Sequence, residues 1–132
     1  MVPAAIHVPV AAGELLDKIT ILQIKSKRIS DENRLANVRR ELNELSAVYD
    51  RTVVPSAELT AFGEELRTIN AELWDIEDEI RRCEARKEFA DRFVELAWAV
   101  YRTNDRRAAV KRQIDVLTGS KLVEEKQYES YE

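Results

Sequence analysis

The sequence predicts an all-α fold: an antiparallel bundle of about four long helices with a short extended N-terminal segment and a charged C-terminal tail. Three observations carry that prediction. The 132 residues include three glycines and three prolines, too few for strands joined by tight turns. Apolar side chains recur every three and four residues over most of the chain, the period of a helix face packed against a neighbour. Where the pattern stops, helix-boundary residues stand: Ser30 with Asp31 and Glu32, Pro55 with Ser56, Asp91, and Gly119. A chain of this length is read as one domain, with an arm over 1–12, the bundle over 13–118 and the tail over 119–132.

In the arm, Ile6-His7-Val8-Pro9-Val10 reads as extended, and Pro9 bars it from the middle of a sheet. It is expected over one end of the bundle or against a second subunit. The first helix starts at Gly13, with Leu15, Ile19, Leu22, Ser26 and Ile29 on one face. Leu16, Ile21 and Ile24 make it apolar on further sides, so it belongs in the middle of the bundle. Ser30 is the expected cap of a second helix carrying Leu35, Val38, Leu42, Leu45 and Tyr49. Pro55 disfavours a helical Val54, and Ser56 is placed to cap the third helix. That helix has the longest stripe: Leu59, Phe62, Leu66, Ile69, Leu73, Ile76, Ile80 and Cys83. The fourth begins around Phe89–Asp91, capped by Asp91 or continuous through a bend, and runs to Thr118. Trp74 and Trp98 lie off the stripes and are expected at a subunit interface or beneath the arm or tail.

Composition excludes several function classes. The net charge of −4 is spread over interspersed signs, which argues against nucleic acid as a partner. A single cysteine, Cys83, and a single histidine, His7, leave no internal disulfide and no Cys/His metal site, and no cofactor is expected. The longest apolar run, Leu96 to Tyr101, is far short of the ~20 residues of a membrane span. A soluble, cytoplasmic protein is the expectation.

Residues 13–29 (GELLDKITILQIKSKRI), 35–42 (LANVRREL), 73–82 (LWDIEDEIRR), 95–114 (ELAWAVYRTNDRRAAVKRQI) and 119–128 (GSKLVEEKQY) together resemble a family of short, uncharacterised bacterial helical proteins classed as a domain of unknown function. The GELLDKITIL opening is the most specific part, and the likeness extends over nearly the whole chain. The resemblance implies a small helical bacterial protein and brings no catalytic residues.

The residues with most chemical potential are polar ones on stripes that should be apolar. Asn104 and Lys111 intrude on the fourth helix's apolar line, with Arg107 between them. Buried without partners they would cost about 1–3 kcal/mol each, so they form either a satisfied polar layer that fixes register or the lining of a wet pocket. Lys18, Lys25 and Arg28 share a flank of the first helix. They face either the acidic shoulders of the third helix (Asn70, Glu77 and Glu84 on one side, Glu65, Glu72 and Glu79 on the other) or a shared ligand. The candidate ligand set is Lys18, Lys25, Arg28, Glu77, Asn104, Arg107 and Lys111, with a small anion as ligand. Glu41, Glu44, Glu72 and Asp75 match the ExxE…ExxD spacing of helical Mg²⁺-dependent nucleotide pyrophosphohydrolases, but Glu44 and Asp75 should point away from the core. The leading expectation is a non-enzymatic coiled-coil-like interaction protein, a homodimer or a partner of another protein. An anionic-metabolite binder or enzyme is the alternative, and the Mg²⁺-dependent hydrolase a minor one.

Overall fold

In a computed structural model, which describes residues 5–131, four helices account for most of the chain. They are α1 (Ala12–Arg28), α2 (Glu32–Thr52), α3 (Ala57–Ala85) and α4 (Asp91–Leu117), and there is no strand among the described residues. None of these helices is long and apolar enough to cross a membrane. Residues 1–4 of the arm and 132 of the tail lie outside the described residues. The rest of the arm is extended and open to solvent, with Ile6, Val8 and Val10 exposed.

The boundary residues act much as their chemistry dictates. The cap of α2 is Asp31 rather than Ser30: its carboxylate accepts from the Arg34 N–H at 2.9 Å. Ser56 caps α3 by accepting from the Leu59 N–H at 3.1 Å. At α4, Asp91 is the first helical residue, and Ala90 in front of it makes no side-chain cap. Gly119 stands just past α4 with φ of +68°, a left-handed conformation that only glycine adopts at no steric cost. Lys87 adopts a similar φ of +57° in the turn after α3, where the Glu88 N–H reaches back to the Cys83 carbonyl at 2.8 Å.

α1 is the hub. It touches all three other helices, whereas α2 touches α1 alone and α3 pairs with α4. Gln23–Arg67 and Arg28–Asp75 contacts run α1 parallel to α3, and Gly13–Asp115 and Asp17–Arg107 contacts run it antiparallel to α4. Three helices therefore make the core, with α2 laid along the outside of α1. Only Val38 of α2 is buried, while eight of α1's seventeen residues are. The central cluster joins Leu16 of α1, Leu59, Leu66 and Ile69 of α3, and Val110 and Ile114 of α4.

The α3–α4 hairpin outruns α1. At 1.5 Å per residue the 29 residues of α3 span roughly 43 Å, against roughly 25 Å for the 17 of α1. Between Asn70 and Cys83 no residue of α3 is fully buried, so Leu73, Ile76 and Ile80 of the longest stripe are only half-covered.

One crossing sets the position of α1 on α4. A β-carbon built on Gly13 would lie 2.4 Å from the Lys111 carbonyl oxygen and 2.6 Å from Asp115 Oδ1. Only a glycine lets the two backbones come this close. Replacement Gly13→Ala is expected to lower stability by about 3 kcal/mol in urea denaturation, the scale of overpacking against a backbone that must move. Lys87→Gly is expected to raise it by about 0.5–1 kcal/mol, because a side chain at left-handed φ carries a steric penalty.

Candidate functional site

The polar residues that interrupt the helical stripes converge on one layer. Asp17 of α1 is 1% exposed. Its carboxylate accepts from Arg107 of α4 in a two-pronged contact, at 2.8 Å for Nε and shorter for Nη2, and from the Asn70 amide of α3 at 2.9 Å. Asn70 also donates to Thr20 Oγ1 at 2.9 Å, and that hydroxyl donates to the Asp17 carbonyl. One carboxylate thus joins three helices. The hydrogen bond to Asp17 holds the Arg107 guanidinium above its ordinary pKa against the opposing effect of burial. No buried side-chain nitrogen or oxygen among the described residues lacks a partner.

A second ionic group lies one turn away. Lys111 of α4 contacts Glu14 at 2.7 Å and Glu124 of the tail at 3.4 Å. Burial alone would lower the Lys111 pKa, but the Glu14 hydrogen bond and the charges of Asp17, Glu14 and Glu124 outweigh it and raise it. Asp115, 1% exposed, accepts from the Gly13 N–H and from the Glu124 N–H, each at 2.8 Å. It supplies to α1 the N-terminal cap that Ala11 cannot. The tail then runs back along α4, held by Arg112 to Glu125, Lys126 to Asp105 and Tyr131 to Asp105. The Lys126 hydrogen bond keeps the Asp105 carboxyl below its usual pKa.

These pairings divide the residues singled out from the sequence. Arg107 and Lys111 are committed to Asp17 and to Glu14 with Glu124. Arg28 pairs with Asp75 at 2.6 Å and lies 5.7 Å above the Trp74 ring. Lys18 is exposed and lies outside the groove that Lys25 lines. Lys25, Glu77, Asn104 and Arg107 do come together, around a groove of about 440 Å³ between α1, α3 and α4. Its walls add Asn70, Leu73 and Trp74, and Glu77 there pairs with Arg81 at 3.5 Å. Lys25 and Asn104 are half-buried and have no partner among the described residues.

The carboxylates spaced for Mg²⁺ are not brought together. Glu41 and Glu44 are exposed on α2, which does not touch α3, while Glu72 pairs with Arg106 and Asp75 with Arg28. Among the described residues no three His, Cys, Asp or Glu side chains cluster closely enough to hold a metal ion.

Sequence reasoning missed Asp17 and Asp115, the two acids at the centre of the polar contacts. A signal for Asp17 was present: it sits four residues after Gly13 and three before Thr20, on a helix otherwise apolar nearly all round. Asp115 is four residues after Lys111 and so shares its face. Removing Asp17 leaves the half-buried guanidinium of Arg107 unpaired and takes one acceptor from the buried Asn70 amide. Asp17→Ala should cost about 3–5 kcal/mol in chemical denaturation. The paired replacement of Asp17 by Leu and Arg107 by Met should recover most of that loss, since the buried charge goes with its partner.

No curated protein and no solved structure matches the chain. A family model described as a family of unknown function (DUF6165) matches residues 6–131, nearly the full length. The chain belongs to that family.

Proposed function

We propose that the protein is a non-catalytic helical interaction protein that pairs with a second copy of itself through the outward face of α4. The observation that carries this reading is an apolar stripe with self-complementary charge. Val94, Trp98 and Tyr101 are spaced four and three residues apart, on the side of α4 opposite its contact with α3, and are 42%, 49% and 39% exposed. Along one flank of the stripe, Asp91 and Glu95 precede Trp98, and Arg102 and Arg106 follow it at nearly equal distances. A two-fold axis near Trp98 sets the α4 helices antiparallel. It brings Glu95 across from Arg102 of the partner subunit and Asp91 across from Arg106 of the partner subunit. Such an isologous contact sets acid against base twice, beside the pairs that Glu95 and Arg106 make with Arg92 and Glu72 of their own chain, and buries the stripe against itself.

The chain's interior supports the non-catalytic part of the reading. Its buried carboxylates and cations serve to join helices, each with a partner from another element. A cytoplasmic, bacterial setting belongs to the same proposal, supported by the free buried thiol of Cys83, the net charge of −4 and the sequence resemblance.

Light scattering should give a particle of twice the 15.2 kDa chain mass. Trp98→Asp should halve it without loss of helical circular dichroism. Glu95→Arg should weaken association roughly tenfold or more, and adding Arg102→Glu should restore it, since the swap exchanges the pair. A single-chain mass for the unaltered protein at about 100 μM, or a dimer indifferent to Trp98→Asp, sinks the proposal.

A further inference from the structure

The groove between α1, α3 and α4 holds polar groups that the bundle does not use. Among the described residues, Lys25 is the only half-buried cation without an acidic or hydrogen-bonding partner. Arg67, Arg107 and Lys111, the others drawn out of water, each have one. The Asn104 amide has no partner either. Arg107 meets Asp17 through Nε and Nη2, leaving Nη1 uncommitted. The Asp17 contact also fixes the guanidinium plane, so this third donor is held in place before any ligand arrives. Three donors, two of them cationic, thus border one groove.

The rest of the lining is not basic. Glu77 and Arg81 neutralise each other, and Asp78 on α3 has no partner among the described residues. Leu73 and Trp74 give an apolar wall, and the Arg28 guanidinium lies 5.7 Å from the indole centroid. At about 440 Å³ the groove is in the size range of small-molecule sites. An inorganic ion would use the donors and leave Asp78 and the wall unused.

We infer that this groove binds a small organic anion, a carboxylate or phosphate monoester that also carries a hydroxyl or ammonium group. Lys25, Asn104 and Arg107 Nη1 receive the anionic group, Asp78 accepts from the hydroxyl or ammonium, and the carbon skeleton lies along Leu73 and Trp74. The seven-residue set drawn from the sequence loses Lys18, Arg28 and Lys111 here and gains Asp78 and Trp74. The inference does not rest on self-association, because Asn104 and Arg107 face α1 and α3 while Trp98 faces outward.

The two tryptophans give the test its internal control. With ¹⁵N-labelled full-length protein, the indole N–H resonances are followed during titration with aspartate, phosphoserine, citrate and glucose 6-phosphate, beside inorganic phosphate and neutral glucose. At least one organic anion should move the Trp74 resonance, leave that of Trp98 in place and bind more tightly than inorganic phosphate, and glucose should move neither. Lys25→Met should weaken that binding roughly tenfold or more, the scale of a lost charge-assisted hydrogen bond, and leave the melting temperature of the free protein unchanged. Lys18→Met, on the same helix but outside the groove, should bind as the unaltered protein does. No Trp74 shift up to about 10 mM of any organic anion, equal shifts of both indoles, or undiminished binding by Lys25→Met overturns the assignment. The Trp98→Asp variant should still bind, which separates this outcome from that of the dimer experiment.

Discussion

The contact on which the rest of the structure depends is the carboxylate of Asp17. It is withdrawn from water, and the energy of leaving it there is offset by Arg107 from α4 and Asn70 from α3 at once. A hydrophobic interface tolerates sliding, because one methyl group replaces another with small loss. A two-pronged guanidinium–carboxylate contact does not, since both partners lose their hydrogen bonds with a shift of an ångström or two. The apolar cluster of Leu16, Leu66, Ile69 and Ile114 holds the three helices together. The polar layer decides at which height they meet.

Gly13 and Asp115 repeat that principle at the end of α1. The close backbone approach places the first turn of α1 beside α4, and Asp115 then supplies the acceptor that the helix start lacks. With α1 fixed at both places, the remaining elements are hung from it. α2 lies along its outer side, and the longer α3–α4 hairpin projects past its C-terminal end with its own stripe half-covered. The groove and the outward α4 stripe are separate products of this arrangement. One exists because α1 leaves room between itself and α4 beyond the polar layer, and the other because no helix packs behind the first half of α4, where only Tyr131 of the tail reaches Tyr101.

Much of the fold was legible in the sequence. The four helices begin and end within a few residues of the expected boundaries, because periodicity and caps are local signals. Ser30 and Asp31 show the limit of that legibility: both are good caps, and only the path of the chain decides that Asp31 accepts from Arg34. The central place of α1 was readable from Leu16, Ile21 and Ile24 spreading around the helix. That α2 would touch neither α3 nor α4 was not, because its stripe of Leu35, Val38, Leu42 and Leu45 looks like that of any bundle member. At the site, position on the stripes singled out Arg107 and Lys111 but did not pair them with Asp17, Glu14 and Glu124, the acids that hold them. Asp17 is one of 25 acidic residues, and its burial is a property of three helices meeting, which no single helix encodes.

The C-terminal strap is fastened differently from the bundle beneath it. Its ties, Arg112 to Glu125 and Lys126 to Asp105, each include a partly hydrated carboxylate, whereas the Asp17 carboxylate that Arg107 and Asn70 share is almost wholly withdrawn from water. Mobile ions weaken the former far more than the latter. Asp115 grips the strap with one oxygen and α1 with the other, so letting go of Glu124 does not loosen Gly13. Ionic strength is therefore a selective handle on this molecule: salt weakens the side-chain ties of residues 125–126 to α4 more than the buried contacts of Asp17 and Asp115.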